Sequence, residues 1–329
     1  AVNITNTDNT GLAVSGNLTV HDSGSVKVSG GNASAPAVSG DITLTSTGKM
    51  ELSNPKGQVT SKKLTVTSST GDVSVTGSKS DGPALVQYGA SIDTTGAVTI
   101  TNSSGPAIFG GLNVEQSGGI TVKGSRASAP IITGNSTIKN TDKVEIINSD
   151  TGGQSAQNIT YTPPAGKGYF YRTAQNGTKL HTRKAISGTT PYLYIGTDNI
   201  YTLTLSDGVT ATTGGTKDTK FYAGESVTVT APADTETNKF KEWNFSGTVP
   251  TGLPDGWQNK PSFSFTMPDS AVSLTAEYKT AYTLTVDDGR GSFTVNGKTA
   301  NQALEGELVT VKTSDTFFNA YHQFNGWSL

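Results

Sequence analysis

Residues 15–54 read SGNLTVHDSGSVKVSGGNASAPAVSGDITLTSTGKMELSN, an alternation of small polar and aliphatic residues that runs its course and then begins again. The triplet VKV, ending at Val28, returns as MEL, ending at Leu52. Outward from this pair, the same aliphatic-x-aliphatic triplet ends at Ile4, Val75, Ile100, Val122 and Ile146. Successive spacings are 24, 24, 23, 25, 22 and 24 residues. A second aliphatic series (Val20, Leu44, Val66, Ile92, Val114, Ile138) precedes the last six triplets by eight residues, nine once. A third (Val14, Val38, Thr60, Val86, Ile108, Ile132) lies six residues further back.

Three series in phase imply three short strands per turn of a coil. Within a strand, alternate side chains point to opposite faces, so the aliphatic pairs turn inward while Lys27, Glu51, Ser74 and Thr99 face solvent. Turns stack about 4.8 Å apart, and one turn alone cannot bury its apolar face. Residues 1–157 are therefore expected to form a three-sided parallel β-solenoid, right-handed on the handedness of parallel crossovers. Glycine and asparagine in SGN, SGD and TGA are expected to supply the corner backbone angles.

The composition agrees. The 329 residues are 33% hydrophobic, with 39 glycines, two methionines and no cysteine, which favours short strands and turns over helices and excludes disulfides and thiolate metal sites. A net charge of -2 and pI near 6.0 give no basic field for nucleic acid or an anionic membrane. No run reaches the roughly 18 apolar residues that span a bilayer. The start at Ala1, with neither initiator Met nor signal peptide, reads as a mature or trimmed chain.

From each triplet to the next third-series residue the chain takes 10, 10, 8, 11, 8 and 10 residues, so one corner absorbs the length variation. Its segments include SGGNASAP, SNPKGQ, TGSKSDGP, TNSSGP and KGSRASAP. Variable corners gathered on one edge are either a contact edge or tolerant surface loops. Asn32, Lys79, Asp81 and Arg126 are the candidate ligand-binding residues there. Residues 158–199 break the period and are rich in aromatics, as a cap over the solenoid's open end requires. Tyr169 and Tyr171 offer the alternative of a carbohydrate-stacking platform.

A longer repeat follows. YTLTLSDG at Tyr201 returns as YTLTVDDG at Tyr282, AGESVTVTA (223–231) as EGELVTVKT (305–313), and FKEW, ending at Trp243, as FNGW, ending at Trp327. Strands are expected near 201–205, 227–230, 239–245, 262–267 and 272–278. Trp243 and Trp327 hold one frame and read as core. Trp257, in the insertion SGTVPTGLPDGWQNK, reads as the exposed aromatic and a candidate glycan or partner contact.

The pattern YTLTL, GESVTVTA, F..W, FTMP and AVSLTAEY resembles the divergent internalin B-type repeat of bacterial multidomain surface proteins, over about 201–279 and again from 282. The stretch before residue 157 resembles the parallel β-helices of extracellular bacterial proteins. These resemblances imply a secreted or wall-attached, Gram-positive, adhesin-like protein with a repeat domain at 200–280 and an incomplete second one at 281–329.

Catalysis needs gathered carboxylates. The solenoid's eleven, from Asp8 to Asp150, scatter over faces and turns, and Glu51 is expected to pair with Lys27 one coil away. His21, His181 and His322 fall in separate regions, so no metal or other cofactor is expected. DDGRGS (287–292) joins two strands and reads as a hairpin turn. An ice-binding threonine array fails because the Thr19, Thr43, Thr65 column passes into Ser91 and Asn113. The expected function is non-enzymatic adhesion to glycans or to a host or bacterial surface protein. The alternative is a stalk or fibre subunit, self-associating by strand completion at the C-terminal repeat.

Overall fold

A computed structural model describes residues 1–8, 11–31, 34–79, 85–182, 184–285 and 291–313, in two compact units, Ala1–Asn199 and Ile200–Leu329. The first unit is the solenoid. Its first face stacks Val2–Thr5, Ser25–Ser29, Lys49–Asn54, Val73–Gly77, Ala97–Asn102, Gly119–Gly124 and Lys143–Asn148 in parallel. The triplet ends form one unbroken column, with Ile4 beside Val28, Val28 beside Leu52, and so on through Val75, Ile100, Val122 and Ile146. The second face stacks Leu18–His21, Ile42–Thr45, Leu64–Ser69, Ala90–Thr94, Leu112–Gln116 and Ser136–Lys139, again in the expected column from Val20 to Ile138. The third series also aligns, but as single bridges from Val14 to Ile132. That face is one residue wide in most coils because turns crowd it from both sides.

The core is a stack of aliphatic rungs. Val28, Leu44, Met50, Val75, Ile100, Ile108 and Ile146 are all fully buried. Each such side chain contributes roughly 1.5–3 kcal/mol when taken out of water. In the first coil Val2, Ile4 and Val14 are only partly buried, since an end coil has one neighbour. At the far end the stacking direction reverses. Gln154–Thr162 still adds in parallel to Ser136–Lys139, so the second face runs past residue 157. Residues 192–196 then lie antiparallel to Lys143–Asn148, with Ile195 on Val144 and Leu193 on Ile146. Lys167–Arg172 adds outside them and Ile186–Gly188 closes on Gln154–Thr162.

The corner leading into the first face departs from expectation. Its left-handed backbone is carried by Asp22, Ser46, Ser68 and Asn140, at φ 47–52°. The next residues, Ser23, Thr47, Ser69 and Thr141, are buried hydroxyls. Thr47 Oγ1 lies 3.1 Å from Ser69 Oγ, and Ser117 Oγ lies 3.0 Å from Thr141 Oγ1. Glycine is needed here for close approach: a Cβ on Gly48 would stand 2.1 Å from the Gly24 carbonyl oxygen.

In the second unit, Thr210–Thr213 and Thr216–Lys217 form a hairpin that continues through Ser226–Thr230 to Ser262–Thr266. Asn238–Gly247 pairs with Val272–Thr283. Trp243 is buried in the core, and its indole Nε1 donates to the Lys260 carbonyl at 2.7 Å. The second copy repeats this plan: Gly291–Val295 pairs with Lys298–Thr299 and with Val309–Thr313. Glu225 and Glu307, at the same place in the two copies, accept from the backbone amides of Tyr222 and Leu304 at 2.9 and 2.8 Å. They are turn fasteners. Trp327, His322 and most of DDGRGS lie outside the described residues.

Candidate binding surface

Two residues past every triplet, the chain alternates Asn and Gly: Asn6, Gly30, Asn54, Gly77, Asn102, Gly124, Asn148. This position opens the variable corner, and it makes the structural repeat two coils long. Asn102 is buried. Its Nδ2 donates to the carbonyls of Pro106 (2.8 Å) in its own corner and Lys79 (3.3 Å) in the preceding one, while its Oδ1 accepts from the Lys79 amide at 2.9 Å. Asn54 bonds the Gln58 and Ala35 carbonyls in the same way, and Asn148 those of Gln154, Ala129 and Arg126. Asn54 and Asn102 thus tie a short corner to a longer one a coil earlier, and Asn148 ties its corner to one of equal length. In the Gly coils a side chain has no room: a Cβ on Gly77 would lie 2.2 Å from Leu85 Cδ1 and 2.7 Å from the Gly57 carbonyl oxygen.

The clamp fixes the backbone of two candidate residues. Lys79 is held by Asn102 through both its amide and its carbonyl. The Arg126 amide donates to Asn148 Oδ1 at 2.9 Å, and its Nη1 reaches the Pro130 carbonyl at 3.4 Å. Asn32 and Asp81 lie outside the described residues. Beside this edge runs an open groove of about 440 Å³ lined by Ser29, Ser53, Asn54, Pro55, Thr76, Gly77, Ser78, Thr101 and Ser103, whose exposed lining is mostly carbon with hydroxyls interspersed. Ser53, Ser78 and Ser103 spend a hydrogen bond within the protein, while Ser29, Thr76 and Thr101 keep hydroxyls that can donate and accept beside apolar surface, a mixture that suits a sugar's hydroxyls and C–H face.

The aromatic candidates are not solvent-facing platforms. Tyr169 is 7% exposed, its hydroxyl donates to the Lys184 carbonyl at 2.9 Å, and its ring meets Tyr161 edge-on at 4.9 Å. Tyr171 packs half-buried against the solenoid core. Trp257 opens the short 3-10 turn Trp257–Asn259 and lies half-buried, 5.0 Å from Phe245 and 5.3 Å from Phe263. The physical reason is shared: the solenoid's end and the repeat's sheet each need apolar cover, and these rings supply it. The solenoid's exposed aromatics are Tyr88 and Phe109, at 61% and 47%. Their signal was compositional, since residues 1–157 hold no other aromatic.

The charged groups are mostly locally engaged. Glu51 meets Lys49 on its own strand at 2.6 Å, and the expected partner Lys27 only at 3.8 Å. The hydrogen bond from Lys49 holds the Glu51 carboxyl below its ordinary range. Glu115 pairs with Lys139 at 3.1 Å, and Asp93 accepts from the Ser68 amide and from Gln116 Nε2. In the cap, burial opposes ionisation of Asp198, but hydrogen bonds from Lys179 and His181 outweigh it and lower its pKa. Among the described residues no cluster of three His, Cys, Asp or Glu could hold a metal, and no helix is long and apolar enough to cross a membrane.

Residues 201–281 match the family model of the divergent InlB B-repeat domain, a repeat type typical of bacterial surface proteins. No curated protein and no solved structure matches the chain.

Proposed function

We propose that this chain is a non-catalytic part of an extracellular bacterial surface protein, secreted or wall-attached. In this reading the solenoid makes adhesive contact with carbohydrate and the InlB-type repeats act as spacers. The observation that carries it is the groove beside the Asn-clamped corner, which sets Ser and Thr side chains among apolar surface. Its floor is rigid, because the clamp satisfies the backbone groups on both sides, and a rigid array loses little entropy on binding. Neutral hydroxyls select a neutral, hydrogen-bonding ligand over an ion.

The test is a glycan array probed with the full chain and with a Thr76→Arg, Thr101→Arg variant that fills the groove. Both residues face outward in one column of the first face, so the fold should tolerate the change. Binding by the parent chain that the variant loses supports the reading. Equal binding by both removes the groove from it, and no binding by the parent chain removes carbohydrate altogether.

A further inference from the structure

Tyr88 and Phe109 take no part in the groove. Tyr88 lies two residues past Val86 and Phe109 one residue past Ile108, and these bridge residues pair directly, so the two aromatics stand on adjacent coils one residue out of step, with no direct contact between their rings. Both are fixed at the backbone: the Phe109 amide donates to the Val86 carbonyl at 2.9 Å, and the Tyr88 amide to the Lys62 carbonyl at 3.3 Å. In other coils the residue after the bridge is Ser15, Ser39, Ser61 or Thr133, and the one after that is often glycine. Large rings replace small residues in these two coils alone. A lone exposed aromatic needs no explanation, but two on adjacent coils, the whole aromatic content of residues 1–157, do.

The occupant follows from size and charge. Two part-exposed rings offer far less than the roughly 800 Å² per partner of a stable protein interface. They do match the flat, apolar C–H face of a sugar ring, against which an aromatic ring buries area at little entropic cost. Beside Tyr88 stands the exposed Lys62, whose Nζ lies 5.4 Å from the ring centre and has no ion-pair partner among the described residues. Thr133 Oγ1, which accepts from the Gly110 amide at 3.0 Å, adds a hydroxyl at the rim.

We infer that Tyr88 and Phe109 form a stacking platform for an acidic glycan, pyranose rings on the aromatic faces and a carboxylate on Lys62. This rests on the carbohydrate reading but places a second site, on another face, with a different ligand charge. The test is affinity electrophoresis of the full chain in gels containing polygalacturonate or a neutral β-glucan. Four proteins are run: the parent chain, Tyr88→Ala with Phe109→Ala, Lys62→Gln, and the Thr76→Arg, Thr101→Arg groove variant, with circular dichroism confirming the fold of each. The expected result is retardation by polygalacturonate that weakens at least tenfold in the aromatic variant. It should weaken severalfold in Lys62→Gln, with less sensitivity to salt, and be unchanged in the groove variant. Retardation of the aromatic variant equal to the parent's overturns the platform. So does retardation by β-glucan alone; if only the groove variant then loses it, the surface-contact reading survives without the platform. No retardation by polygalacturonate overturns it as well.

Discussion

Replacing Asn102 by alanine measures how much of the solenoid's stability lies in the corner clamp. The side chain makes three short or moderate hydrogen bonds, to the Pro106 carbonyl and to both backbone groups of Lys79, and a longer one at 3.4 Å from the Ser104 amide. A protein hydrogen bond contributes about 1 kcal/mol net, and a buried group left unsatisfied costs about 1–3 kcal/mol. The corner lies at the surface, so water can reach some of the freed groups, and the expected loss is about 3 kcal/mol. Thr101→Ala, the neighbouring outward residue, is the control and should stay within about 0.5 kcal/mol. Urea unfolding followed by far-ultraviolet circular dichroism reads the difference as a shifted midpoint at constant slope. Asn102→Asp should be no better than alanine, because it sets a carboxylate against two carbonyls where Nδ2 had donated. A loss under about 1 kcal/mol for Asn102→Ala, or one equal to the Thr101 control, would refute the clamp.

Two further outcomes follow from the same geometry. Gly48→Ala should cost at least about 3 kcal/mol or leave the chain insoluble, because its Cβ would meet the Gly24 carbonyl oxygen at 2.1 Å. Gly24→Ala, whose Cβ meets nothing within 4 Å, should be tolerated; equal solubility and midpoint for the two variants would contradict the close-approach account. In the cap, burial and then the neighbouring Glu145 carboxylate push the Tyr192 hydroxyl from 10.0 up to about 12. The folded chain then keeps a proton that the unfolded chain releases, so stability is fully present below pH 10 and falls as pH rises from 10 to 12. Urea midpoints measured across that range should drop, and Tyr192→Phe should flatten the drop; an unchanged slope in the variant would count against it.

The coils were legible because packing forces one aliphatic pair per rung, and a slip of one residue would turn every pair outward. That made the columns through Ile4, Val20 and Val14 readable as spacing alone. The two-coil alternation was equally present, two residues past each triplet, yet Asn and Gly are both ordinary turn residues and neither betrays burial. Asn102 looks like a loop residue until its carbonyl partners are known. The cap tyrosines misled for a related reason: Tyr169 is amphipathic, so its ring can be buried while its hydroxyl reaches a backbone carbonyl, and sequence cannot tell that from a ring facing solvent. Trp257 sits outside the repeat frame, yet the insertion folds back and seats it on Phe245 and Phe263. Tyr88 and Phe109 carry no periodic signal, because aromatics occur in only two of the coils.

The central claim is that the solenoid makes the contact and the InlB-type repeat does not. Amide hydrogen exchange of the full chain, with and without the tightest-binding glycan from the array, tests it directly, with mass spectrometry of the glycan after the same incubation. The account predicts protection confined to solenoid peptides at the corner groove or around Tyr88 and Phe109, no change across 201–281, and a glycan recovered intact. Protection confined to 201–281, or a glycan recovered in fragments, would contradict it.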